Sequence, residues 1–282
     1  MPCCHLAQRA LLRLSGPDVR LFLQGQITND MQALTADAPL YAGLLSPQGK
    51  ALFDLFLFAD GDDVLIDVAA DRQAALAQRL TMFRLRRQME IAPAAELAVY
   101  AGWGEASAHP VDPRLAAAGQ RWIAPAAAGQ RWITPAAAGQ RWIAPAGAVT
   151  DATLADWHAH RLPLGLPEAD EIGHDELLWL ETNGRELNGV SFTKGCYTGQ
   201  ENTARMHHRD KLRKRLLPLQ VAENAPAEGP VLSGDREAGM LRGQRHADLQ
   251  MALIRMDFLD QPLTLNGSPA ELLTPSWLTA ES

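Results

Sequence analysis

Cysteine is scarce in this chain: three in 282 residues, with Cys3 and Cys4 side by side near the start and Cys196 far along. Adjacent cysteines pair poorly and the count is odd, which excludes a disulfide framework. Metal-ligand spacing is missing as well. There is no C-x-x-C and no H-E-x-x-H, and the eight histidines offer only His158 with His160 and the pair His207 and His208. Ordinary surface or core side chains explain these better than a zinc site, so no metal ligands are expected. No run of about 18 apolar residues occurs, so no membrane-spanning helix and no membrane partner are expected. The first residues, "MPCCHLAQRALLRL", carry neither a continuous apolar stretch nor a small-residue cleavage site, which predicts a cytoplasmic protein. Excess positive charge is lacking too: the net charge of -7 does not point to a polyanionic partner.

What is present is an ordinary globular composition, 47% apolar and 21% charged, on a chain long enough for two or three domains. "ALLRLSGPD" reads as a strand and turn, with Ser15 or Asp18 capping a helix over "VRLFLQGQITNDM". "YAGLLS" is a strand, and "ALFDLFLFA", "DGDD" and "VLIDVA" form a β-hairpin. "DRQAALAQRLTMFRLRRQM" reads as an amphipathic helix capped by Asp71, and "AELAVYAGW" as a further strand. This order suits an α+β architecture better than strict βαβ alternation. Residues 116–145 hold three near-identical decapeptides, "AAAGQRWIAP", "AAAGQRWITP" and "AAAGQRWIAP". Each can supply one short strand, "QRWI", and a turn. They read as a tandem duplication in a loop or at a domain edge, or else as an aromatic patch built from Trp122, Trp132 and Trp142. From Leu216 onward five short apolar strands in close succession predict a small barrel.

The stretch "KGCYTGQE", Lys194–Glu201, raises the chemical question. Thr198 and Glu201 match a capping box, which predicts a helix from Gly199, with Glu201 and Arg205 one turn apart as an ion pair. Cys196 then precedes a helix amino end, where unpaired amides and the macrodipole favour an anion, and Lys194 adds positive charge. Nucleophile, metal or cluster ligand, and inert buried cysteine all remain open on this spacing. Beyond it, "ARMHHRDKLRKR" carries Arg205, Arg209, Lys211, Arg213, Lys214 and Arg215 against Asp210 alone. That is either a solvated linker or a patch for a polycarboxylate, a phosphate or RNA.

"GVSFTKGCYTGQE" resembles the signature of the YgfZ family of folate-binding proteins, whose mitochondrial relatives serve iron-sulfur cluster assembly. "FLQGQITND", "YAGLLSPQGK", "HRLPLGLP" and the closing strands extend the resemblance over most of the chain, the decapeptides excepted. The wider superfamily contains the glycine-cleavage T-protein, an aminomethyltransferase acting on tetrahydrofolate. The resemblance implies a T-protein-like three-domain ring around a folate-sized channel. Its parts would be a discontinuous first α+β module (1–46 and 148–212), a second α+β module (47–147, with the insertion 116–145) and a C-terminal antiparallel β-barrel (213–282).

It further implies tetrahydrofolate or a one-carbon derivative as cofactor, with Asn29, Asp30, Tyr41 and Asp54 as contacts, and iron-sulfur client or assembly proteins as partners. In the motif, Cys196 and Lys194 would carry the chemistry. Gly195 and Gly199 would permit a tight turn, Gln200 and Glu201 would shape the helix start, Tyr197 and Thr198 complete the motif, and Arg205 would pair Glu201 or meet the folate tail. Two T-protein carboxylates lack counterparts here, one beside Asp54 and one in "RLPLG", which argues against a glycine-cleavage enzyme. A folate-dependent one-carbon transferase is the enzyme alternative, and a role with tRNA the second.

Overall fold

The computed structural model describes residues 1–104, 108–126, 150–208 and 212–278. In chain order these form β1 (Cys3–His5), β2 (Arg9–Ser15), α1 (Val19–Gln24), β3 (Leu40–Leu45), β4 (Ala51–Asp60), β5 (Asp63–Ala69), α2 (Gln73–Arg84), β6 (Glu90–Pro93), β7 (Leu97–Gly102) and β8 (Gln120–Pro125). There follow α3 (Leu154–Arg161), α4 (Ala169–Ile172), α5 (Gln200–His208), β9 (Lys214–Val221), β10 (Pro230–Ser233), β11 (Arg236–His246), β12 (Leu249–Arg255), β13 (Leu263–Leu265) and β14 (Ser268–Leu272). They divide into two units. Unit 1 is Met1–Leu44, Phe53–Trp157 and Asn188–Thr198; unit 2 is Leu45–Leu52, His158–Leu187 and Gly199–Ser282.

Unit 1 carries a five-stranded sheet ordered β3-β4-β5-β2-β6, whose β3 and β4 end in the 45–52 turn counted with unit 2, and a three-stranded sheet ordered β1-β7-β8. The expected hairpin is β4–β5, closing at Asp60↔Asp63. β4 is buried along most of its length, so its apolar run is continuous instead of alternating. Helix starts differ from the sequence expectation. α1 stops at Gln24, and Asp18 caps it by position only, its carboxylate accepting the Gln88 amide at 2.7 Å instead. Asp71 lies in a 3-10 turn ahead of α2, which starts at Gln73 with no side-chain cap.

The first decapeptide copy supplies the short strand expected of it. Its "QRWI" is the body of β8, paired along β7 with Trp122 opposite Tyr100. Trp122 is buried between the Tyr100 ring (5.9 Å) and the His109 ring (4.1 Å), so it contributes to a core and not to an exposed aromatic patch. Trp132 and Trp142 lie outside the described residues.

In unit 2, β10-β11-β12-β9-β14-β13 close into a barrel. Leu217, Leu219 and Val221 alternate inward from β9 and meet Val231, Ala252, Ile254, Phe258 and Leu265 in the barrel core. β10, which the sequence reading passed over, closes the ring through Leu232↔Thr264. Among the described residues no helix is long and apolar enough to cross a membrane.

Candidate functional site

In unit 1 the loop that carries Cys196 is anchored from both sides. Thr28 is buried, and its hydroxyl donates to Gly189 O (2.5 Å) while accepting the Gly43 amide (2.8 Å); the Ser191 amide donates to Thr28 O (3.0 Å). Lys194 then reaches back into the 24–29 segment. Its ammonium donates to Gln24 O, Ile27 O and Asn29 O at 2.7, 2.7 and 2.8 Å, one acceptor for each N–H. Burial pushes its pKa down to about 8, opposed by the Asp30 carboxylate. On the far side of the cysteine the Thr198 amide donates to Gly25 O at 3.4 Å. Lys194 is therefore a clamp across two loops, a role the sequence reading missed when it assigned the residue to the thiol alone.

Between those anchors Cys196 is an exposed free thiol, whereas Cys3 and Cys4 are buried. Burial and the Asp151 carboxylate push the Cys3 thiol up to about 11, leaving it protonated and inert. Tyr197 lies beneath the Lys194 ammonium, 5.1 Å from ring centre to Nζ. The two motif glycines divide. A side chain at Gly195 would meet open space, so neither crowding nor a left-handed backbone requires glycine there. Gly199 has φ +84°, and a Cβ would strike Ser46 O and lie 2.9 Å from Leu45 Cβ.

Within unit 2, Gly199 leads into α5, which starts at Gln200, one residue later than expected. The start of α5 lies on the turn Ser46–Lys50, where Asn202 Nδ2 donates to Gln48 O at 2.9 Å. Glu201 occupies the first turn, where a carboxylate complements the helix dipole. Arg205 donates to Asn202 Oδ1 at 3.3 Å. The basic run loses a member: Arg215 is buried and bound to Glu186 at 2.8 Å. Arg209, Asp210 and Lys211 lie outside the described residues.

The four residues carried over as folate contacts fall into two kinds. Asp54 is buried and bound to Arg9 (2.9 Å), which also holds Asp67 (2.6 Å); Asp67 in turn pairs with Arg121 of β8 (2.6 Å). Arg9, Arg114 and Arg121 all lie over the Phe56 ring, with Arg121 at 3.7 Å, and Arg114 pairs Asp112 at 2.8 Å. Tyr41 is fully buried against Phe56, with ring centres 4.9 Å apart, and burial beside Asp54 raises its phenol pKa far above the usual range. These residues frame unit 1 from within. A carboxylate inside an apolar strand, as in "ALFDLFLFA" and "VLIDVA", was the available signal, because burial obliges it to find a cation.

Asn29 is held by three hydrogen bonds: Nδ2 donates to Tyr41 O (2.8 Å) and Asn188 O (2.7 Å), and Oδ1 accepts the Asp30 amide (2.9 Å). Asp30 is half-buried. Its Oδ1 accepts from Gln24 Nε2 and the Gln32 amide, both at 3.0 Å, and its Oδ2 has no hydrogen-bond partner among the described residues.

Residues 213–280 match the family model for the C-terminal beta-barrel domain of CAF17. The whole chain is similar in fold to glycine cleavage system aminomethyltransferase T from Bartonella henselae, with a TM-score of 0.70 at 15% identity over 98% of this chain and 86% of that one. Iron-sulfur cluster assembly factor IBA57, mitochondrial, of Mus musculus is 32% identical over 98% of this chain and 85% of its own length. The Homo sapiens protein of the same name is 34% identical over 94% and 81%. Both names place those relatives in mitochondria, which overturns the cytoplasmic expectation drawn from the amino end. At this identity and coverage, the chain belongs to the IBA57 family of iron-sulfur cluster assembly factors.

Proposed function

We propose that this protein is an accessory factor in the assembly or repair of iron-sulfur proteins, with the Cys196 thiol as the group that meets iron or an electrophile. The observation that carries the reading is the exposed Cys196 on a loop anchored at Lys194 and Thr198, in a chain whose other cysteines are buried. One thiolate cannot hold a cluster by itself, so the cluster is cargo, and the remaining ligands come from a client, an assembly partner or a small molecule. The names of the relatives support the pathway.

Tetrahydrofolate or a one-carbon derivative is the proposed small-molecule ligand. Asp30 fits it best of the four residues, since its open Oδ2 can accept an N–H from a pterin ring. Asn29 positions Asp30 and is itself held by the Tyr41 carbonyl, while Asp54 is engaged by Arg9. The transferase alternative is weakened by the same geometry: a base must be free to take a proton, and Asp54 is committed to Arg9. An RNA-directed role retains Arg213 and Lys214 at the surface and loses Arg215.

The test is complementation of a deletion strain, scored by iron-sulfur enzyme activities, beside titration of purified protein with tetrahydrofolate species. Cys196→Ala is expected to bind folate as the parent does and to fail in rescue, and Asp30→Asn to weaken folate binding. Full rescue by Cys196→Ala would overturn the role of the thiol.

A further inference from the structure

A second feature of unit 1 is independent of the thiol. At the carboxyl end of α2 the chain forms a cleft of about 650 Å³ between the Ser15–Pro17 turn and residues 84–90. Its floor is rigid. Gly16 has φ +120°, and a Cβ there would lie 2.5 Å from Gln88 O; the Asp18 carboxylate accepts the Gln88 amide (2.7 Å), and Arg84 Nη1 donates to Met89 O (2.7 Å).

Above this floor stand Leu85, Arg86 and Arg87, all exposed. Among the described residues neither Arg86 nor Arg87 has a hydrogen-bond or ion-pair partner for its side chain. Leu85 is 83% exposed, and its two neighbours in α2, Met82 and Phe83, are 64% and 43% exposed. Leu85 also holds φ 52° and ψ -117°, a region that non-glycine residues avoid and that persists only where the surroundings impose it. This part of the chain presents an apolar side chain outward next to two uncommitted guanidinium groups.

We infer that this cleft docks an acidic segment of a partner protein, with carboxylates on Arg86 and Arg87 and an apolar anchor against Leu85. Charge complementarity selects the occupant: guanidinium groups match carboxylates in bidentate pairs, and apolar side chains at their flank give the anchor its contact area. A phosphate backbone would use the arginines and leave Leu85, Met82 and Phe83 in water.

The test uses the full chain and a short fluorescein-labelled peptide in which glutamates flank a Leu-Phe pair, read by anisotropy at low and high salt. Saturable binding is expected, weakened about tenfold or more by R86E/R87E and by added salt. Leu85→Gly removes the anchor and relieves the backbone at once. It is expected to weaken binding while leaving the melting temperature equal or higher, which separates a docking role from a folding role. An all-glutamate peptide should bind more weakly than the Leu-Phe peptide. The inference is overturned if the Leu-Phe peptide shows no saturable binding, or binds R86E/R87E as well as the parent. It is overturned in favour of nucleic acid if single-stranded RNA binds more tightly through the same arginines. It is overturned in favour of self-association if sedimentation shows a dimer that R86E/R87E dissolves.

Discussion

Gly199 is the motif position that no other residue can fill without moving the backbone. Its left-handed φ and its approach to Ser46 O predict that Gly199→Ala destabilises by about 2 kcal/mol or more. Gly195→Ala, which points into open space, should stay within about 0.5 kcal/mol of the parent. Urea melts of the two variants check the contrast, and equal losses would contradict it. Lys194 gives a second residue-scale prediction. Its three carbonyl contacts mean that Lys194→Met lowers folding stability by about 1–3 kcal/mol, as those acceptors lose their donor. A lysine serving only to favour the thiolate would leave the melt unchanged. The sequence pattern showed the motif as a unit; which glycine is indispensable was invisible in it, because the collision partner lies more than 150 positions away in the chain, at Ser46.

At the level of elements, local patterns were readable and long-range pairings were not. The β4–β5 hairpin and most barrel strands follow from apolar runs between Gly, Asp and Pro turns. The helix caps failed because Asp18 and Asp71 have the right residue type and the structure uses them otherwise. In the decapeptides the strand expected of "QRWI" forms in the first copy as β8, while the bond from its Arg121 to Asp67, 54 residues earlier, was not visible in the repeat. Arg121→Met leaves part of the Asp67 charge uncompensated in the interior and should cost about 3–5 kcal/mol, measured by denaturant titration. Excising residues 126–145 should cost under about 0.5 kcal/mol, since the complete copy that supplies β8 remains. In that chain Pro125 is followed by Ala146, so the alanine amide that donates to Glu96 O at 2.9 Å has an identical successor. A large loss of stability would mean that the later copies carry structural weight.

For the molecule as a whole, acidification should act on unit 2 through a half-buried histidine. His158 is stacked on His246 at 3.6 Å and accepts the Arg161 Nε proton at Nδ1 (3.0 Å); Arg161 is buried and bound to Glu171 at 2.7 Å. Burial, then the Arg161 charge, push the His158 pKa down to about 4 from 6.5, with Glu168 opposing. Between those two values the unfolded chain binds more protons than the folded one, so stability rises with pH across that window and is lost as pH falls through it. His158→Gln should reduce the fall in melting temperature between pH 6.5 and 4, with His246 and His109, whose pKa values burial also lowers, carrying part of the remainder; an unaltered slope would assign the acid sensitivity elsewhere. The threading of the chain has a consequence in time. Unit 1 needs Asn188–Thr198, including the Ser191 and Lys194 contacts to the 24–29 segment, so a ribosome must have made most of the protein before the first unit can close. Until then the buried arginine and aspartate strands wait without their last loop. The nascent chain is thus expected to lean on chaperones during synthesis, and the cysteine loop is among the last parts of unit 1 to be secured.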